Sequence, residues 1–449
     1  MHKTRQSLAV VGSGIAGLST AWLLRQDYRV ALFEKNDYLG GHTHTHVVEE
    51  DGRQIPVDTG FIVYNEPNYP HLSHLLNHLD ISTQDTDMSF AVSIGDGALE
   101  YAGDNLSTLF AQRCNLYRWD FLRMLKEILR FNRQCKRLLK SGGFGAVSLG
   151  DFLESNDYDR GFSHHYLLPM AAAIWSCPTS TMLDFPVASF ARFFANHGLL
   201  NLFRRPQWKT VSGGSWCYVK KLAADLQPNL QVDSPVVGIW RRPHGVELRL
   251  VDGQTQVFDG MVLACHADEA LSLLQNPSEQ EHTLLAAFRY QSNHAWLHTD
   301  TELMPRSHKV WSAWNYLAAQ GKDGTTGSVS VTYWMNRLQR LQTRHDYLVS
   351  LNPLKLPRDD RVIAQMVYQH PVFDQAAMAA QPKLTELQGR DRIWFCGSYF
   401  GYGFHEDALR SSVQLARSLG VAIPWDTQMA QVRGPHQVGR EPGLVDALG

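Results

Sequence analysis

Leu8-Ala9-Val10-Val11-Gly12-Ser13-Gly14-Ile15-Ala16-Gly17, followed 22 residues after Gly12 by Glu34-Lys35 and then by Gly40-Gly41-His42, is the stretch that decides the fold. An apolar run leads into three glycines, and these open a helical pattern of Leu18, Ala21, Trp22, Leu23 and Leu24. The order reads strand, tight turn, helix. Gly12 permits the turn, Gly14 lets the backbone approach a pyrophosphate, and Gly17 lets helix and strand pack closely. The backbone of Ser13, Ile15 and Ala16 then presents free N–H groups at a helix N-terminus, where negative charge is favoured. Glu34 ends the next strand, Arg29 to Glu34, and its carboxylate can accept the ribose hydroxyls of an adenosine. A 2′-phosphate would be repelled there.

The glycine pair Gly40-Gly41 just after the ribose-binding acid resembles the extended fingerprint of the flavin amine oxidase, phytoene desaturase and protoporphyrinogen oxidase superfamily. That resemblance implies FAD, with Lys35, His42 and Thr43 beside the cofactor as well. The family usually places Arg after the glycines, and this chain has His42. In His42-Thr43-His44-Thr45-His46 the alternate histidines would share one face of an extended segment and suit a metal. Its position directly after the pyrophosphate loop suits hydrogen bonds to phosphate or flavin better, and no metal is expected.

With 449 residues the chain is too long for one compact core, and two or three units are expected. Hydrophobic residues make up 44% and charged residues 19%, the balance of a globular protein with a large interior. A formal net charge of −2 gives no field that would recruit nucleic acid. No apolar run reaches the ~18–20 residues of a membrane span. Met1 runs almost directly into the first strand, leaving no room for a signal peptide, so a cytoplasmic location is expected. The six cysteines lack any C-x-x-C pair and read as reduced, mostly buried thiols.

The expected fold class is α/β: a Rossmann-type FAD-binding domain built from three discontinuous segments, with an inserted α+β substrate domain. The FAD segments are expected at 1–80, 211–285 and 386–425. Residues 81–210 read as a helical insertion, 286–385 as an aromatic-rich sheet and 426–449 as a disordered tail. Within the helical insertion, one basic amphipathic helix is expected from about Leu106 to Leu139. Such a helix is either a solvated face over a core stripe or a peripheral contact with an anionic membrane.

Gly397-Ser398-Tyr399 and Gly403-Phe404-His405-Glu406-Asp407 resemble the superfamily's closing motif, which implies a helix N-terminus aimed at the flavin pyrimidine. Reduced flavin carries negative charge there, and a helix dipole stabilises it. Gly397, Ser398, Phe404 and His405 are therefore expected at the flavin, and Val237 at the adenine edge. Phe404 falls where amine oxidases place an aromatic wall of the amine cage. Their flavin-side lysine has no counterpart on the strand Ser292 to Thr299, where Asn293 or His294 stands instead. His405 and His294 are the candidate acid–base residues.

The expected activity is FAD-dependent oxidation by hydride transfer to flavin N5. Oxygen or another electron acceptor would reoxidise the flavin. The substrate is expected to be small and hydrophobic, fatty-acid or isoprenoid-like, undergoing desaturation or isomerisation. An amine oxidase with a modified cage and a non-catalytic flavin-binding protein are the alternatives.

Overall fold

The computed structural model describes residues 5–145, 147–175, 179–201, 206–320 and 326–426. The tail expected to be disordered lies outside the described residues, apart from Asp426.

Five parallel strands form one sheet in the order Ile393–Phe395, Gly260–Leu263, Ser7–Val11, Arg29–Phe33 and Leu230–Gln231. They come from three separated stretches of chain. Parallel strands covered on both faces read as continuous apolar runs, and Ala9, Val10, Met261, Val262 and Leu263 are all buried. The helix Ile15–Leu24 is buried along its whole length. The closing helix His405–Ser418 packs against it, and the Ser412 hydroxyl donates to the Ala16 carbonyl at 2.8 Å. Beside this sheet lies an antiparallel meander of Val236–Arg242, Gly245–Leu250 and Thr255–Phe258.

A second sheet of seven strands runs in the order Val362–Val372, Arg289–His298, Leu348–Leu351, Thr326–Trp334, Trp314–Gln320, Phe90–Ile94 and Leu99–Ala102. Its last two strands correct the reading of 81–210 as wholly helical. Alternation in Phe90-Ala-Val-Ser-Ile and Leu99-Glu-Tyr-Ala is short; pairing of the first with Trp314–Gln320, and of the second with the first, is what makes them strands.

The single helix expected from Leu106 to Leu139 is also divided. Leu106–Leu109 is one short turn, Arg113–Leu116 a 3₁₀ turn, and the long helix is Trp119–Ser141. Tertiary hydrogen bonds hold the intervening chain off a helical course. The Gln112 side chain donates to the Gly97 carbonyl at 2.7 Å and accepts from the Glu100 N–H at 2.9 Å.

Asp58 ties the layers together. Its buried carboxylate accepts from the Ser215 N–H at 2.9 Å, the Ser215 hydroxyl at 2.8 Å and the Gln339 amide at 3.0 Å. First segment, second segment and large sheet thus meet at one side chain.

Candidate functional site

A cavity of about 830 Å³ runs from the glycine loop to the seven-stranded sheet. Gly12, Ser13, Gly14, Ile15 and Ala16 line one end, with Gly40, Gly41 and His42 across from them. A Cβ on Gly14 would meet no protein atom within 4 Å, so any side chain there would project into the cavity. At Gly17 the reason for glycine is different. A Cβ would sit 1.8 Å from the Gly12 carbonyl oxygen, so Gly17 serves the close helix–strand contact and does not line the cavity. The helix Ile15–Leu24 has no side-chain cap and no acidic residue in its first turn, leaving its amides for an anion. This cradle fits a pyrophosphate.

Glu34 lines the same end and is buried. One of its oxygens accepts from the Ser13 N–H at 2.8 Å and hydroxyl at 2.6 Å; the other accepts from Asn36 N–H and amide, both at 2.9 Å. Carboxylate oxygens have further lone pairs, so Glu34 can shape the loop and still accept ribose hydroxyls. Lys35 also lines the cavity, paired with Glu269 at 2.6 Å. Val237 does not. A bulge between Val236 and Gly238 leaves it unpaired and exposed, while Val236 and Ser234 face the cavity.

Gly397, Ser398, Phe404 and His405 line the middle of the cavity, where the closing helix begins. The His405 ring stacks on Phe61 at 3.8 Å between centroids. Its Nε2 lies 2.6 Å from the Tyr218 hydroxyl and 3.1 Å from the Thr43 hydroxyl. Thr43 therefore sits behind His405 and outside the cavity lining, a correction to its expected place beside the cofactor. Burial pushes the His405 pKa down to about 3, which makes this imidazole a weak base.

His294 also departs from its expected place. Side chains alternate along Arg289–His298, and Asn293, paired with Tyr368, is buried while His294 is exposed. Asn293 instead donates to His370 Nδ1 at 2.7 Å, and His370 lines the cavity. His42, His266 and His370 stand close together there, with His42 5.3 Å from His370 and 6.0 Å from His266 between centroids. Burial holds all three below the usual histidine range, His370 at about 4. Three neutral rings thus stand together in this part of the cavity. His42 Nε2 is buried without a hydrogen-bond partner among the described residues.

Beyond Phe404 the cavity turns apolar, walled by Ile174, Phe193, Leu199, Trp208, Trp314 and Leu351. Phe193 and Phe404 stack at 5.0 Å. His197 stands among them, its Nδ1 donating to the Phe193 carbonyl at 3.0 Å. Sequence reasoning missed both His197 and His370. Neither belongs to a local motif.

The family model for flavin-containing amine oxidoreductases matches residues 15–419. The chain belongs to this family. It is an FAD-dependent oxidoreductase of the flavin amine oxidase superfamily. A solved putrescine oxidase bound to putrescine superposes with a TM-score of 0.67 at 15% identity, covering 93% of this chain and 99% of that one. A CLA-producing fatty acid isomerase from P. acnes gives 0.64 at 14% identity, with coverages of 93% and 99%. These likenesses are of fold. Over 82 residues the flavoprotein is 38% identical to a 1-hydroxycarotenoid 3,4-desaturase from Flavobacterium sp. (strain P99-3), a stretch amounting to 18% of this chain and 15% of that protein. No helix among the described residues is long and apolar enough to cross a membrane.

Proposed function

We propose that this flavoprotein desaturates, or shifts a double bond within, a hydrophobic chain of fatty-acid or isoprenoid type. The observation that carries the reading is where the carboxylates lie. Among the described residues, Glu34 and Glu269 are the only acidic ones lining the cavity, and both are engaged at its adenosine end. An ammonium in the apolar half would be buried without a partner, at a cost of several kcal/mol. An alkyl or polyene chain meets no such penalty there.

Bound FAD would supply the hydride acceptor: for desaturation oxygen or another acceptor would then take the electrons, and for a double-bond shift the hydride would return to the chain. Gly12 to Ala16, Gly40 and Gly41 would hold its pyrophosphate, and Glu34 its ribose. The chain's own contribution is to orient the substrate and take the second hydrogen as a proton. His197 suits that task. Its Nδ1–H is committed to the Phe193 carbonyl, so the neutral ring carries its lone pair on Nε2, and burial keeps it neutral at pH 7. His405, the expected base, is the weaker choice because its Nε2 is taken by Tyr218 and Thr43 and its basicity is depressed.

The desaturase and isomerase among the proteins that this chain resembles act, by their names, on carotenoids and fatty acids, which supports the reading. The stacked Phe193–Phe404 pair favours one alternative, an amine oxidase with a modified cage, because aromatic walls also suit an uncharged amine. Extraction of the purified holoenzyme followed by mass spectrometry separates the two. A long-chain lipid released with FAD is expected; a polar amine released in its place contradicts the reading.

A further inference from the structure

The long helix Trp119–Ser141 is two-faced. Phe121, Met124, Ile128, Phe131 and Cys135 are buried against the core. At ~100° per residue, Arg123, Lys126, Arg133, Lys136, Arg137 and Lys140 fall together on less than half of the circumference, on the opposite side. All six are exposed, and Asp120 is the one exposed acid on the helix. The whole chain has a formal charge of only −2, so this concentration of positive charge is local.

At the N-terminal end of that basic face the surface is apolar. Tyr117 is 86% exposed, Trp119 84%, Leu106 75% and Leu116 45%. Leu129, on the basic face itself, is 45% exposed. These side chains are held out rather than left loose. Phe110 packs edge-on against Phe121 at 5.8 Å, tying the Leu106–Leu109 turn to the start of the helix, and Tyr101 of the neighbouring strand meets the same ring at 5.4 Å. Exposing Leu116, Tyr117 and Trp119 within four residues of chain is unusual for a face that meets only water.

We propose that this face is a membrane-docking surface for a bilayer rich in anionic phospholipid, with Tyr117, Trp119, Leu106 and Leu116 inserting at the headgroup level and the basic face lying along the surface. Amphipathic tyrosine and tryptophan rings prefer that depth. Lysine and arginine beside them add attraction to anionic headgroups. Nucleic acid would answer the positive charge but not the exposed leucines. The inference rests on the surface alone and stands apart from the substrate reading.

The test is flotation of the full-length holoenzyme with vesicles of phosphatidylcholine alone or mixed with phosphatidylglycerol, at about 0.05 and 0.5 M salt. The parent is expected to float with the mixed vesicles at low salt and to bind phosphatidylcholine weakly. Arg133→Glu/Arg137→Glu/Lys140→Glu should lower partition onto mixed vesicles by at least about 100-fold at low salt. Tyr117→Ser/Trp119→Ser should lower it ~10-fold at both salt concentrations, because it removes the salt-insensitive part. FAD content and thermal midpoint identify any variant that fails to fold. If the parent stays at the bottom of the low-salt gradient, the proposal is wrong. Variants that float like the parent, or a parent that binds single-stranded RNA while ignoring vesicles, overturn it too.

Discussion

Asn293 donates its side-chain amide to His370 Nδ1 at 2.7 Å, and a chain of hydrogen bonds fixes the direction of that donation. The backbone N–H of His294 can only donate, and it does so to Asn352 Oδ1 at 2.9 Å. Asn352 then presents its amide N–H to Asn293 Oδ1 at 2.7 Å, which leaves Asn293 its own N–H for the imidazole. His370 is thereby held as the tautomer with its proton on Nε2. Asn293 is thus a buried neutral donor behind a ring that lines the cavity.

Nitrogen-15 NMR of histidine-labelled protein should find His370 neutral at pH 7 with Nε2 protonated. Asn293→Asp would place an acceptor against Nδ1, so the tautomer should reverse and the ring should titrate at higher pH than in the parent, where burial holds it at about 4. An unchanged His370 spectrum in that variant would show that the relay does not set the tautomer.

Gly14→Val should yield protein without FAD, since its side chain would enter the space the pyrophosphate needs. Glu34→Ala should weaken FAD by ~1–3 kcal/mol, because the buried Ser13 N–H loses its partner along with the ribose hydroxyls. Titration of the apoproteins with FAD checks both. Parent-like affinity in Gly14→Val would remove the cofactor cradle from this loop.

The glycine loop was legible because its information is local: turn, close approach and ribose acid fall within about 30 residues, at spacings fixed by backbone geometry. His370 and Asn293 are separated by 77 residues, and only the register of two long strands brings them together. Register also decided between Asn293 and His294, because a one-residue shift exchanges the two faces of a strand. The bulge that turns Val237 outward has no marker in Val236-Val237-Gly238. His197 was hidden for a different reason. It lies at the end of an apolar helix, Val187–Asn196, whose pattern reads as core.

His197→Ala should retain FAD and slow anaerobic single-turnover reduction, or isomerisation, by roughly 10²–10⁴-fold, the usual worth of a general base. His294→Ala should match the parent, since His294 is exposed on the outer side of its strand. Stopped-flow comparison of the two variants decides the matter. Equal rates in His197→Ala and the parent would remove His197 from the chemistry.

Glu406 carries a pH signature. Its buried carboxyl accepts from the His71 and Leu72 N–H groups at 2.9 and 3.0 Å, and burial lifts its pKa from 4.5 to about 8. Between those values the folded chain binds more protons here than the unfolded chain, so this group's contribution to stability falls as pH rises. The buried histidines contribute alike in the parent and in Glu406→Gln, so the difference between the two isolates this group. Between pH 7 and 8.5 the urea midpoint of the parent should fall relative to that of Glu406→Gln. Parallel profiles would remove Glu406 from the pH dependence.

The substrate class is the central claim, and it is tested most directly by incubating the holoenzyme with dispersed lipid extract and, separately, with a panel of amines including putrescine. Mass spectrometry then follows double bonds in the lipids and aldehyde formation from the amines. The expected result is a lipid chain whose double bonds have changed in number or position, with the amines untouched. Aldehyde and peroxide from an amine, with every lipid chain unaltered, would contradict the account.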